Sequence, residues 1–147
     1  MNPAAPFRRP FAFRIDLRTG VPIYRQLIDQ VQAAIATGSL VPGDQLPTVR
    51  QVAVDLEINP NTVMRAYREM EIRGVLDTQQ GTGTFVAQQT VERNAVEHSR
   101  GLEQLVEEFA ARAGAGGFHL EELMMALRDR LAEGKQGSTP KSKGEKR

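Results

Sequence analysis

This 147-residue sequence predicts a mainly α (α+β) fold: an N-terminal winged helix-turn-helix followed by a short two-helix dimerisation region. Three observations carry that class. Two amphipathic patterns, at 49–56 and 60–74, are joined by a link of only Glu57 and Ile58. Two β-favouring arms around Gly81-Thr82-Gly83 follow at once. Beyond residue 91 the composition shifts to Glu, Arg and Ala, with large apolar residues at helical spacing. The implied organisation is an arm and short strand at 1–20, a winged helix-turn-helix at 21–88, a two-helix region at 91–134 and a tail at 135–147.

Residues 1–10 are proline-rich, with Arg8 and Arg9, and read as an irregular arm. In FAFRIDL the alternation of Phe11, Phe13, Ile15 and Leu17 predicts a short half-buried strand, ended by Thr19-Gly20. Pro22 suits a first helical turn. Tyr24, Leu27, Ile28, Val31, Ala34 and Ile35 then recur every three or four residues, predicting a helix over 22–37 stopped by Gly38. SLVPGDQLP is a turn cluster whose Leu40 and Leu46 point inward.

Thr48 with Gln51 forms the T-x-x-Q pattern of a capping box and opens a helix from Val49 to about Leu56. Asn59 then serves as N-cap and Pro60 as first residue of a third helix. Its buried stripe is Val63, Ala66, Tyr67 and Met70, and it ends near Gly74. VLDTQQGTGTFVA predicts a hairpin whose tip needs positive φ. In the C-terminal part Val96, Leu102, Leu105, Val106, Phe109 and Ala113 predict a helix that Gly101 interrupts, and AGAGG at 113–117 reads as a loop. Leu120, Leu123, Met124, Leu127 and Leu131 predict a last helix ending near Gly134. The closing GKQGSTPKSKGEKR holds every lysine of the chain and predicts a disordered basic tail.

Composition narrows the function classes. At 40% apolar and 25% charged residues the chain is of globular type, and a net charge of +1 leaves any polyanion-binding footprint to local clustering. With no cysteine, only His98 and His119 offer imidazole ligands, so no metal site is expected. No apolar run spans a bilayer and MNPAAPFRRP lacks a signal-type core, which predicts a cytoplasmic protein without a membrane partner. Gly81-x-Gly83 lacks the third glycine of a dinucleotide loop, and GSLVPG is followed by Asp44-Gln45 rather than Lys-Ser/Thr. No nucleophile elbow or H-E-x-x-H pair occurs, so neither catalytic residues nor a cofactor are expected.

The third helix carries the functional argument. Asn59, Asn61, Thr62, Met64, Arg65 and Arg68 lie at its exposed front, where an ordinary surface helix would carry Glu, Lys and Ala. Asn and Arg make paired contacts to base edges, and the second helix of a helix-turn-helix enters the major groove N-terminus first. A cap at Asn59 and solvated arginines are the plain alternative. Arg50 stands beside that helix, facing DNA or pairing with Asp55 or Glu57. Thr48 is a cap first and a phosphate contact second. Gly81 and Gly83 serve turn stereochemistry and let bare backbone approach phosphate, with Gln80 and Thr82 as the wing side chains nearest DNA. The stripe of Leu102, Leu105, Val106, Phe109, Leu120, Leu123, Met124, Leu127 and Leu131 is more than two short helices bury alone, so it predicts a second copy as partner. Folding back on the winged domain and a Met124-Met125 ligand pocket are the alternatives.

With those residues in view, the run from PIYRQL through GSLVPGDQLPTVRQVA, NPNTVMRAY and RGVL to GTGTFV resembles the DNA-binding domain of the GntR family of bacterial transcription regulators. The short C-terminal region, with PIYRQL and NPNTVxRAY, looks like the YtrA subfamily, in which that region dimerises. The resemblance implies a homodimeric repressor of its own operon and of ABC transporter genes, bound to a double-stranded operator with inverted symmetry, its small-molecule effector left open. It implies DNA contacts at Arg50, Asn59, Asn61, Thr62, Arg65 and the tip from Gly81 to Gly83. Met64 stands where some branches have Arg, which shifts that task toward Arg65. A winged-helix protein-interaction module is the rival reading of the same surface.

Overall fold

The computed structural model describes residues 10–88 and 94–137, so the predicted arm at 1–10, except Pro10, and the predicted tail at 135–147, except its first three residues, lie outside the described residues. The described residues divide into two compact units, 10–88 with 134–137, and 94–133.

The first unit is built on α1 (Ile23–Thr37), α2 (Val49–Leu56) and α3 (Pro60–Ile72), with strands β1 (Gln45–Leu46), β2 (Leu76–Gln79) and β3 (Gly83–Val86). The strands form one antiparallel sheet in the order β1-β3-β2. Leu76 lies opposite Val86, Thr78 opposite Thr84, and Gln45 opposite Phe85. α1, α2 and β2 all pack on α3. The predicted apolar stripes meet in one core: Leu27, Ile28 and Val31 from α1, Val52 and Ala53 from α2, Val63, Ala66, Tyr67 and Met70 from α3, and Leu40, Leu46, Leu76 and Val86 around them. Burying so many branched side chains supplies the main driving force for this unit, at about 1.5–3 kcal/mol for each fully buried Val, Leu, Ile or Met.

The expected N-caps form, although Gln51 makes no return bond to the Thr48 N–H, so α2 has half of the predicted capping box. Thr48 accepts the N–H of Gln51 at 3.1 Å and Asn59 that of Asn61 at 2.9 Å, with Pro60 in the first helical position. Three helices close with the paired hydrogen bonds of a Schellman motif, in which a left-handed residue turns the chain. After α3, Gly74 (φ 73°) is that residue, and Val75 N–H reaches Met70 C=O at 2.8 Å. After α2 the role falls to Glu57, at φ 54° the one non-glycine with positive φ among the described residues, and Ile58 N–H reaches Ala53 C=O at 3.0 Å. That reversal makes the α2–α3 link so short.

The predicted strand at 11–17 is absent. The segment is irregular, Phe13 is buried, and Leu17 is 80% exposed. A strand needs a neighbouring backbone; here two side chains of α1 take its place. Gln30 binds the N–H and C=O of Arg14, and Gln26 those of Asp16. Conversely β1 lies within the stretch read as a turn cluster, because its two residues pair with β3 far along the chain.

The second unit contains α4 (Ala95–Ala115) and most of α5 (Leu120–Gly137). α4 runs unbroken through Gly101, and the expected loop at 113–117 shrinks. Gly117 (φ 78°), not the first glycine met, supplies the stop: its N–H binds Gly114 C=O at 3.1 Å and Phe118 N–H binds Ala113 C=O at 2.9 Å. α5 likewise passes Gly134, so Lys135 is helical rather than part of the tail. α4 and α5 do not pack on each other among the described residues.

Candidate nucleic-acid interface

At 100° per residue the buried stripe of α3 has an opposite, and Asn61, Arg65, Arg68 and Ile72 all fall within about 30° of it. These four are exposed. Thr62 lies on the flank and is half-buried, and Asn59 is spent partly as cap while remaining exposed. The front of α3 therefore points polar groups and two guanidinium groups at solvent, near the helix start, where the positive end of the helix dipole favours anions. Met64, 53% exposed, adds an apolar edge.

Arg50 is exposed on α2 and makes neither of the ion pairs that sequence allowed with Asp55 and Glu57. Arg68 is also free of hydrogen bonds and ion pairs among the described residues. Arg73, by contrast, is taken up by Glu69 at 2.5 Å. Arg65 differs from both: its guanidinium carbon sits 3.8 Å from the ring centroid of Tyr24, on α1.

In the wing, Thr82 N–H closes the turn on Gln79 C=O at 3.0 Å, and Gly81 (φ 75°) and Gly83 (φ 136°) both occupy conformations that L side chains rarely adopt. Gln80, Gly81 and Thr82 are exposed at the tip and Gly83 is half-buried. Two supports of this tip escape sequence reading. Gln45 of β1 donates its side-chain amide to Thr82 C=O at 3.3 Å. Thr78 binds the Glu71 carboxylate of α3 and meets Thr84 at 3.1 Å, tying the wing to α3. Only their polarity beside buried Leu46 and Leu76 hints at a role. Tyr67 links the core to the cap of α2, donating its hydroxyl to Pro47 C=O at 2.6 Å, and burial pushes its phenol well above the ordinary tyrosine range.

The predicted apolar stripe of the second unit is uncovered in the single chain. Leu102, Leu105, Val106, Phe109, Leu120, Met124, Leu127 and Leu131 lie between 42% and 62% exposed, and Leu123 is half-buried. Met125 is 66% exposed. Among the described residues no three His, Cys, Asp or Glu side chains group as metal ligands, and no helix is long and apolar enough to cross a membrane.

Residues 23–86 match the family model of bacterial regulatory proteins, gntR family. The HTH-type transcriptional repressor YtrA of Bacillus subtilis (strain 168) is 32% identical over 124 residues, which cover 84% of this chain and 95% of that protein. Among solved structures, a transcriptional antiterminator from Listeria monocytogenes EGD-e aligns at TM-score 0.61 and 27% identity, over 82% of this chain and 90% of that one. YtrA from Sulfolobus acidocaldarius, a GntR-family transcription factor, aligns at TM-score 0.52 and 30% identity, over 69% of this chain and 99% of that one.

Proposed function

We propose a mode of action that starts from family membership: the chain belongs to the gntR family of bacterial regulatory proteins, in its YtrA branch, and is a DNA-binding transcription regulator. It works as a homodimeric repressor in the cytoplasm. Two copies of α3 enter successive major grooves of an inverted repeat, and α4 and α5 join the copies. The operator lies upstream of its own operon and of neighbouring ABC transporter genes.

The observation that carries this reading is the outward stripe of α3, where Asn61, Arg65 and Arg68 stand exposed opposite the buried stripe of Val63, Ala66, Tyr67 and Met70, together with an Arg50 on α2 that is exposed and makes no ion pair among the described residues. Asn61 and Arg65 read base edges. Arg50, Arg68, Thr48 and Thr62 bind phosphate, as do Asn59 at the helix start and the wing from Gln80 to Gly83. The exposed apolar stripe of α4 and α5 supports the second copy, since an area of that kind on a small chain calls for a cover.

Selection of bound duplexes from a random pool by the full chain tests both halves at once. An enriched inverted repeat, bound with a log–log salt slope of several units, is the expected result. Arg65→Ala then weakens the selected duplex by about 1–3 kcal/mol while barely changing random DNA. Enrichment of nothing, or of a single asymmetric site bound by a monomer, overturns the reading.

A further inference from the structure

The stack of Arg65 on Tyr24 has no role in a generic helix-turn-helix, since Tyr24 belongs to α1, outside the two-helix motif. Its ring is half-buried against the core cluster and so is held in place, whereas Arg65 is exposed on the outward stripe of α3. A guanidinium lying on a ring has its flat face covered, but its N–H donors all lie in its own plane and stay open to an acceptor at the edge. Among the described residues no hydrogen bond or ion pair occupies those donors.

We propose that Tyr24 is a positioning residue for DNA recognition. Its ring holds the Arg65 guanidinium in one plane, edge outward, before DNA arrives, so that α1 helps decide which acceptor on the duplex Arg65 meets. This rests on the DNA-binding reading above. An exposed arginine left to itself samples many rotamers and loses that freedom on binding; a fixed aromatic face removes part of the loss in advance.

The test is a double-mutant cycle on the duplex selected by the wild-type chain, with random duplex as control. Tyr24→Phe keeps the face and binds within about two-fold of wild type. Tyr24→Leu weakens the selected duplex by about two- to five-fold, leaves random DNA unchanged, and adds nothing in an Arg65→Ala background. Equal losses with and without Arg65, or on random DNA, overturn the proposal. Tighter binding by Tyr24→Leu also overturns it, because the ring would then be a parking place that Arg65 must leave. A second measurement needs no variant: the ring-current shift of the Arg65 side-chain Nε proton persists when DNA is added, and its disappearance overturns the proposal. A wild-type chain that enriches no duplex refutes the DNA reading and this one together, whereas wild-type binding with a failed cycle refutes this one alone.

Discussion

The side-chain amide of Gln30 pairs with the backbone of Arg14 on both sides, accepting from its N–H at 2.8 Å and donating to its C=O at 2.6 Å. One helical turn earlier Gln26 treats Asp16 the same way, at 2.9 Å in both directions. Residues two apart in an extended segment present their polar backbone groups to one side, and residues four apart on a helix share one face. The two glutamines therefore act as a one-sided substitute for a neighbouring strand.

The double variant Gln26→Ala, Gln30→Ala loses about 1–3 kcal/mol of stability in urea unfolding, since each such bond contributes roughly 0.5–1.5 kcal/mol net and water replaces part of it. The amides of Arg14 and Asp16 exchange freely in that variant. Continued protection of those amides would show that something other than the glutamines holds the segment.

Tyr67→Phe deletes the bond to Pro47 C=O and costs about 1–2 kcal/mol. It also changes the alkaline limb of stability. In the fold the phenol is held neutral by burial, above its ordinary value of 10.0, while in the unfolded chain it ionises near pH 10. Its contribution is thus complete below about pH 10 and is lost as pH rises beyond, because the unfolded state gives up the proton first. The wild-type chain loses stability more steeply than Tyr67→Phe above that pH; parallel curves would contradict the assignment.

Glu57 closes α2 in a left-handed conformation that costs an L residue about 1–2 kcal/mol. Glu57→Gly removes that cost and returns part of it as unfolded-chain entropy, so stability rises by about 0.5–1 kcal/mol in chemical denaturation. A destabilised variant would mean that the Glu57 side chain contributes more than its backbone geometry suggests.

Gly81 and Gly83 separate two causes of wing strain. A Cβ at Gly81 meets nothing within 4 Å, so Gly81→Ala costs only its positive φ, about 1 kcal/mol. At Gly83 a Cβ lies 2.5 Å from Gln45 Nε2. Gln45 can swing aside, but Thr82 C=O then loses its donor, and Gly83→Ala costs about 1–3 kcal/mol. Adding Gln45→Ala to Gly83→Ala costs less than the two single losses summed; strict additivity would show that the contact carries no coupling.

Most of the winged unit was legible as a string of residues. The stripes Leu27-Ile28-Val31 and Val63-Ala66-Tyr67-Met70, the caps Thr48 and Asn59, the stop at Gly74 and the turn around Gly81 act through neighbours within about four positions, and such bonds can be read locally. The outward stripe of Asn61, Arg65 and Arg68 follows from the same arithmetic. Errors arose where a choice among several glycines, as in α4, depended on which one completed a terminal pair of bonds at Gly117.

What local pattern could not supply were partners that are distant in sequence and adjacent only after folding. Alternating Phe13 and Ile15 announced an extended segment, yet only the packed helix brought Gln26 and Gln30 to its open side in place of a strand. Only the sheet put Gln45 beneath the wing tip, and only the packing of α1 on α3 laid Arg65 across Tyr24. Periodicity shows which face of an element is apolar; the identity of the group across the contact depends on how all the elements pack together.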